Sequence, residues 1–564
     1  MHASTPLTRA ALTAGILCLL LPVAAHAVEP VVAPGAGSLL QQTQPVEPPA
    51  PSPAGTGLTI EAAARAALPP SEPFLIATIQ LSGNTLFDTP TLHALVASAE
   101  GKHLTLPELG AVVARISDYY HRRGYPLARA LIPAQTIQNG RVRIEVIEAR
   151  YGAVLLDNHS RVSAPLLQAT LSPVHSGDAI SEAPLDHTLL LLSDVPGVSV
   201  AATLKPGAAV GTSDLQVATA ATAAVTGNVA LDNDGNRYTG RARLGGTVNF
   251  IDPLRHGDVL GLTGLTSGDM NYGSAGYETL LNGAGTRMGG SYSALHYVLG
   301  GTLAALDGHG TAVVDSLWLK QPLLRSPNAN VYAQIQYDHK VLDDEIGTGD
   351  IRTDRHMDNW TASMTGDLRD TLLSGGVNTW NLGWTMGNLA FGSAAAARAD
   401  ATTANTQGGF SLWIATLSRL QNLSASNALY FAVSAQWANS NLDPAEKMIA
   451  GGAYTVRSYD MGALSGDSGI LGSAEFRQDL GVHWRGQWQA VVFADRQHVT
   501  INHNVWAAGT NSATLNGAGV GCNWTAARQW SAKAYIAAPL GPTPSLVGSN
   551  NSTRAWVSVS KGFY

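Results

Sequence analysis

From Val225 to the C-terminus the chain repeats one pattern, segments of about 10 to 15 residues in which apolar and polar side chains alternate, separated by Gly, Asn and Asp turns. The alternation is cleanest where Val331, Ala333, Ile335 and Tyr337 stand against Tyr332, Gln334, Gln336 and Asp338. It returns at Leu429, Phe431, Val433, Ala435 and Trp437, set against Tyr430, Ser434 and Gln436. A period of two sends the two sets to opposite faces of a strand, one suited to lipid and the other to water. Past the first 27 residues no continuous apolar run approaches the roughly 20 residues of a membrane helix, which excludes a helical membrane protein. Strands in lipid cannot leave an unpaired edge, so the pattern predicts a closed transmembrane antiparallel β-barrel over residues 222–564. Marking the segments gives about sixteen strands, an even number as in bacterial single-chain barrels.

The rest of the composition agrees with an exported chain. Charged residues are only 13%, mean hydropathy is +0.05, and there are 59 Gly and 12 Trp. Residues 1–27 read as a secretory signal, with Arg9, an apolar core from Ala10 to Ala25, and Ala25-His26-Ala27 as the cleavage site. Cys18 lies inside that signal without the neighbours of a lipobox. Removing the signal leaves Cys522 alone, so no intramolecular disulfide forms. A net charge of −7 with no basic stripe makes nucleic acid an unexpected partner.

Residues 28–72 form a Pro-rich linker in which Thr59–Ala67, with Glu61 in its first turn and Pro69-Pro70 closing it, reads as a short helix. Phe74–Leu81 then reads as a strand and Thr89–Ala99 as a helix. Thr105-Leu-Pro-Glu108 is a capping box opening a second helix, with Leu109, Val112, Val113, Ile116 and Tyr120 on one face. Gly124 and Pro126 end it. Leu127–Ile132 and Arg141–Ile147 follow as strands, giving the order β-α-α-β-β. A shorter version covers 150–221, with a helix at Ser181–Ser193 and strands at Val198–Leu204 and Asp214–Thr219.

Within the barrel, the stretch Ala453–Asp460 (A-Y-T-V-R-S-Y-D) lies in a Gly/Asp-rich connection, Asn439–Gly466. Gly392–Gln407 reads as another long connection, on the extracellular side, and Asn422–Ser426 as a short periplasmic turn. Downstream, Val491–Asp495 (V-V-F-A-D) puts Asp495 on the face of Gln487, Gln489 and Gln497, opposite Trp488, Ala490 and Val492. That face lines the lumen. On the residues alone, Arg457 and Asp495 read as two unrelated solvated charges or as an ion pair that fixes a loop inside the pore. Glu475 and Asp479 flank Arg477 on one face, as lumen charges balancing one another.

These motifs carry a family resemblance. Val456-Arg-Ser-Tyr459 resembles the V-R-G-Y/F signature, and Phe493-Ala-Asp495 the F-x-D signature, of the two-partner secretion transporters (TpsB), haemolysin and adhesin exporters of the ShlB/FhaC/HecB kind related to BamA. Tyr119–Gln135 with Gly140–Val146 resembles their first POTRA domain, and Asp194–Gly207 with Gly211–Leu215 their second. Asp232–Gly240 with Asp252–Asp258 resembles the first hairpin of their barrels. The resemblance spans about residues 73–564, and it implies POTRA 1 at 73–149 and POTRA 2 at 150–221. It also pairs Arg457 with Asp495 as an inward-loop latch, with Val456, Tyr459 and Phe493 beside it. Ser458 stands where the family has glycine; if that position needs a positive φ, serine strains the loop tip by about 1–3 kcal/mol. The family also has a pore-plugging N-terminal helix ahead of a linker, for which Thr59–Ala67 lies too close to the first folded module. The last strand, Arg554–Tyr564, resembles the C-terminal signal read by the barrel-assembly machinery, although these chains usually end in Phe.

The function so implied is an outer-membrane translocation pore, POTRA domains in the periplasm, that recognises and secretes one large unfolded TpsA-type protein. Its expected surroundings are outer-membrane lipid and, during biogenesis, the assembly machinery. Client contact is expected at POTRA strand edges and at Arg141, Arg143, Tyr125, Gln135, Val198 and Val200. The alternatives are an assembly factor of the BamA type, a solute porin, or a barrel enzyme. No catalytic residue, metal or cofactor is expected. The 16 His show no H-E-x-x-H, no Ser sits in G-x-S-x-G, and the Asp232-Asn-Asp cluster lacks EF-hand spacing.

Overall fold

The fold is described from a computed structural model, which covers residues 33–43, 48–61, 68–547 and 553–564. The signal expected at 1–27 lies outside the described residues. The first elements are a helix, α1 (Ala36–Thr43), and a three-residue strand, β1 (Leu58–Ile60). Both differ from expectation. The linker holds a helix where extended chain was expected, and the expected helix begins as a strand, its remaining residues 62–67 being outside the described set. A helix of eight residues has no stability of its own in water, so α1 forms where Leu39 and Leu40 can be buried. Thr59 and Ile60 are β-branched and find a sheet edge to join.

The first small domain contains β2 (Phe74–Leu75), β3 (Thr78–Ser82), α2 (Thr89–Val96), β4 (His103–Leu104), α3 (Leu106–Arg122), β5 (Arg129–Leu131) and β6 (Arg141–Ile147). The single strand expected at Phe74–Leu81 is two, because the chain changes partner: β2 pairs with β4, and β3 pairs in parallel with β6. The capping box of α3 is present in both directions, Glu108 Oε2 accepting from Thr105 N at 2.7 Å and Thr105 Oγ1 from Glu108 N at 3.4 Å. Leu109, Val113, Ile116 and Tyr120 of α3 pack on Val142, Ile144 and Val146 of β6, the alternate residues of the strand.

The second domain has β7 (Arg150–His159), α4 (Ala164–Leu171), α5 (Glu182–Ser193), β8 (Val198–Pro206) and β9 (Thr212–Ala221), in the sheet order β1-β8-β9-β7. Leu185, Leu189 and Leu192 of α5 enter its own core. The opposite side of α5 faces the barrel, where His187 Nδ1 lies 3.2 Å from the carbonyl of Arg325, which explains a helix apolar on more than one face.

The barrel begins with β10 (Val225–Asp232), β11 (Arg243–Ile251), β12 (Val259–Thr266), β13 (Met270–Leu280) and β14 (Arg287–Val298). It continues through β15 (Gly308–Arg325), β16 (Ala329–Ile346), β17 (Ile351–Asp370), β18 (Gly376–Phe391), α6 (Ala394–Ala401), β19 (Gly408–Asn422) and β20 (Asn427–Ala438). A small hairpin, β21 (Met448–Ala450) and β22 (Leu464–Gly466), precedes β23 (Ser468–His483), β24 (Gly486–Thr500), β25 (Ser512–Ala526), β26 (Trp530–Pro539) and β27 (Arg554–Phe563). Leaving out β21 and β22, sixteen strands close as one barrel, β10 pairing with β27. Phe431, Val433 and Trp437 are 47, 42 and 54% exposed on the outer wall while Ser434 and Gln436 are buried within, the alternation read from the sequence. The second domain packs on the near rim, where Asp194 and His187 meet Arg325 at the end of β15; the connection holding α6 and the one between β20 and β23 leave the far rim.

Glu148 follows β6 and is buried beneath α3. Its Oε1 accepts hydrogen bonds from Thr85 N, Leu86 N and Tyr120 Oη at 2.8, 2.8 and 2.7 Å. Burial alone raises its pKa, but the bonds from Thr85, Leu86 and Tyr120 outweigh burial and hold the carboxyl below the ordinary glutamate range. A depressed native pKa contributes stability that is full above the unfolded pKa and is lost as pH falls through the native one. E148Q is therefore expected to weaken this domain by about 2 kcal/mol at neutral pH. Hydrogen exchange at the α3 amides reads that loss, and the difference from the unaltered chain should shrink in acid.

Candidate functional site

The 439–467 connection enters the barrel instead of staying at the rim. Val456 and Tyr459 anchor it, buried against Leu471, Val499, Ala513 and Leu515 of the wall. Between these anchors, Arg457 reaches two strands. Its Nε and Nη2 bond Oδ2 and Oδ1 of Asp495 at 2.9 and 2.8 Å, a bidentate contact, and its backbone N–H donates to Oδ2 at 3.2 Å. Nη1 donates to Glu475 Oε1 at 2.7 Å and Nη2 to Ser473 Oγ at 3.2 Å. The guanidinium carbon lies 3.5 Å from the Phe493 ring centroid, a cation–π contact. Register explains the convergence: Ser473 pairs with Asp495 and Glu475 with Phe493 across β23 and β24.

Of the residues singled out in the sequence, Arg457, Asp495 and Phe493 are in contact, while Val456 and Tyr459 flank the arginine and pack in a separate apolar cluster. Glu475, expected to balance Arg477, does so through a 2.8 Å bond from Arg477 Nε and also serves Arg457. That second role depends on the loop's position and on register, which alternation within one strand does not reveal. Trp556 of β27 was also missed; its indole N–H donates to the Arg457 carbonyl at 2.7 Å. A cavity of about 320 Å³ lies alongside, lined by Arg457, Glu475, Tyr430, Tyr535 and Pro48.

Ser458 is not strained. It is absent from the residues with positive φ, it is fully buried, and its Oγ lies 3.3 Å from the Asn516 carbonyl. The room comes from across the interface, since a Cβ at Gly517 would stand 2.1 Å from Ser458 Oγ.

α1 lies in the same lumen. Its first N–H, from Ala36, donates to Asp344 Oδ1 at 2.7 Å, and Tyr297 Oη donates to that oxygen at 2.6 Å. Arg355 bonds the other Asp344 oxygen and reaches Asp443 of the inward connection at 2.7 Å. At the other end, Gln42 Oε1 accepts from Asn236 at 3.0 Å. Gly37 permits the close approach, for a Cβ there would be 2.7 Å from that of Ala445. Further along the linker, Ser52 and Pro53 lie by the near rim. Ser52 N donates to Asp367 at 3.0 Å, and Arg325 Nη2 donates to the Pro53 carbonyl at 2.8 Å. The same buried Arg325 holds Asp194 of the second domain at 2.7 and 2.8 Å.

The residues expected to meet a client are not brought together. Arg141 and Arg143 are exposed, but β6 lies inside its sheet between β3 and β5. The Gln135 amide already bonds the backbone N–H and C=O of Arg143 at 2.9 and 2.8 Å, so β6 offers no edge. Tyr125 packs edge-on to Phe87, with ring centroids 5.8 Å apart. Val198 is buried and Val200 packs on the same core, in the other domain, and the outer edge of β8 carries β1.

R457A leaves two carboxylates, Asp495 and Glu475, in a site built for a cation, and should free the connection by about 3 kcal/mol. Amides of 454–460 would then exchange roughly a hundredfold faster. D495N should do less, because Glu475 still holds Arg457. Equal exchange in R457A and the unaltered chain would show that the apolar anchors alone hold the loop.

Comparison with known proteins bears on what this geometry serves. The family model of the ShlB-type POTRA domain matches residues 74–149, and that of the haemolysin secretion/activation protein ShlB/FhaC/HecB matches residues 211–524, more than half the chain. The heme/hemopexin transporter protein HuxB of Haemophilus influenzae (strain 86-028NP) is 27% identical over 481 residues, 84% of each chain. The outer membrane transporter CdiB of Escherichia coli O6:K15:H31 is 24% identical over 470 residues, 79% of this chain and 77% of its own. The solved structure of Escherichia coli CdiB aligns with a TM-score of 0.68 at 22% identity, covering 89% of this chain and 93% of that one. BamA of Haemophilus ducreyi lacking POTRA domains 1–3 aligns at 0.52 and 13% identity, over 87% of this chain and all of that one, a likeness of fold alone. With its barrel, its POTRA region and the family model all in agreement, the chain belongs to the ShlB/FhaC/HecB family of haemolysin secretion/activation proteins, outer-membrane transporters of two-partner secretion.

Proposed function

We propose that this is the closed resting form of a pore through which one large unfolded partner leaves the periplasm. The observation that carries the reading is the content of the lumen. α1, residues 48–53 and the inward connection fill it, held to the wall by hydrogen bonds and ion pairs that water can replace, and all stay covalently attached. A solute porin would have no use for such a filling. Residues 1–27 are then a signal, 28–72 a plug helix and linker, 73–149 and 150–221 two POTRA domains, and 222–564 the pore. No step is catalytic; threading is made one-way by folding of the client outside.

The client's entry follows from β1. Leu58, Thr59 and Ile60 pair with β8 at Ala202, Thr203 and Leu204, and Gly57 accepts from Ala202 N at 2.9 Å, so the outer edge of β8 is held by a short occupant that a longer strand can displace. A client strand adding to β8 replaces β1 through backbone bonds, while the Arg141 and Arg143 side chains remain open to contact in the first domain. Val198 and Val200 take part through their main chain, their side chains being turned to the core.

Protein profiles of the culture supernatant and outer membrane, with and without this gene, test the reading. Loss of one large secreted protein is expected; broad depletion of other barrels would mean an assembly factor, and altered solute uptake with unchanged profiles a porin. T59P should remove β1 from β8 and raise affinity for the unfolded client by about tenfold, measured by calorimetry on the full-length protein. Unchanged affinity would place the client elsewhere on the POTRA domains.

A further inference from the structure

The near rim between β23 and β27 carries basic and aromatic residues that take no part in the lumen. Register puts them at one level. Gly486 of β24 stands opposite Ala526 of β25, Ala526 opposite Trp530 of β26, and Trp530 opposite Lys561 of β27. Alternation places all four on the outer face, with the exposed Val492, Val520, Ile536 and Val559, so the row runs along the wall where lipid gives way to periplasm. Two residues further into the wall, Trp488 and Trp524 stand opposite each other with ring centroids 6.3 Å apart, indoles of the kind that mark such a boundary. On the periplasmic side of the row are two tight turns, Trp484-Arg485 and Ala527–Gln529, which carry Arg485 and Arg528.

Both turns are built against local preference. A two-residue hairpin turn with both φ angles positive is the setting for Asn-Gly, yet Trp484 and Arg485 occupy it at 49° and 63°. Arg528 and Gln529 repeat the choice, each at 59°. Such backbone is strained for bulky side chains, and it has to be braced. Trp488 Nε1 donates to the His483 carbonyl at 2.9 Å, and Lys561 Nζ, 5.8 Å from the Trp530 ring centroid, donates to the carbonyl of Arg528. The bracing fixes the main chain and leaves the side chains of Arg485 and Arg528 exposed. Trp484 is 91% exposed, an indole suited to a layer that is apolar on one side and wet on the other. Residues 480–494 and 496–564 contain no Asp or Glu, and Asp479 is turned to the lumen, where it accepts from Gln487. The three cations of the row therefore have no carboxylate of these strands to pair with on the outer face.

We propose that Arg485, Arg528 and Lys561 form a seat for the headgroup of an anionic phospholipid of the periplasmic leaflet, whose acyl chains lie on Trp488, Trp524 and Trp530. Charge selects the occupant, since three unpaired cations at headgroup depth attract a net negative headgroup and gain little from a zwitterionic one. The strained turns hold two of those cations at the level of the phosphate instead of letting them turn away into water. The seat depends on the barrel's place in the outer membrane and not on what passes through the lumen.

Native mass spectrometry of the full-length protein, purified in detergent and titrated with cardiolipin or with phosphatidylcholine, tests the seat. A cation beside an anionic headgroup is worth about fivefold in affinity, so the first cardiolipin should bind about a hundredfold more tightly than the first phosphatidylcholine. In R485Q/R528Q that preference should fall to about fivefold. W484N/R485G installs the residues the turn favours; it should fold at least as well as the unaltered chain and keep a preference of about twentyfold. R496Q, which alters an exposed arginine on the same outer face at the far end of β24, should bind as the unaltered chain does. Equal affinity for the two lipids overturns the proposal, as does a preference that survives R485Q/R528Q or falls as far in R496Q. Inorganic phosphate at constant ionic strength should not displace cardiolipin; displacement would make this a phosphate site and overturn the lipid seat.

Discussion

A chain that crosses lipid as strands has to bond every backbone N–H and C=O it brings into the hydrocarbon, and the only way to finish that ladder is to bring β10 back to β27. Closing sixteen strands creates an interior too wide for wall side chains to fill, in contrast to small barrels whose side chains meet at the centre. The remainder of this structure answers that hollow. The chain fills it with segments of itself, held to the wall by polar contacts such as Arg457 with Asp495 together with small apolar anchors such as Val456 and Tyr459.

Three arginines carry the joints of this assembly. Arg457 joins the inward connection to β23 and β24, Arg355 joins α1 and the same connection to the tall wall of β16 and β17, and Arg325 joins the linker and the second small domain to the near rim. Each uses its planar, multiply donating head to reach acceptors on separate pieces of chain, a geometry a lysine cannot reproduce. The three pieces are thus not independent: α1 touches Asp344, which touches Arg355, which touches Asp443 of the inward connection. Moving one piece alters the partners of the next.

The parts legible from sequence were those whose signal is local. Alternation at Phe431–Trp437 and the capping box at Thr105 and Glu108 state their own structure, because a strand face or a helix start is decided within a few residues. The Arg457–Asp495 contact was legible through motif resemblance. Elements decided by distant partners were not. Ala36–Thr43 has no cap or stripe that marks a stable helix and folds against a wall some 300 residues away. Leu58–Ile60 is a strand because β8 has an edge to offer. Ser458 looked strained because the compensating space belongs to Gly517, on a strand whose proximity no local pattern announces.

One consequence of the linker lies in its covalent continuity. α1 and β1 belong to one continuous chain whose Ser52 and Pro53 are held at Asp367 and Arg325, so whichever leaves its seat remains near it at an effective concentration on the order of millimolar. Reclosure is therefore a first-order event, independent of how much protein the membrane holds, and its rate sets a clock. On the proposed export reading, a client segment that lets go before its successor enters gives α1 its chance to return, which would select for chains long and continuous enough never to leave the lumen vacant.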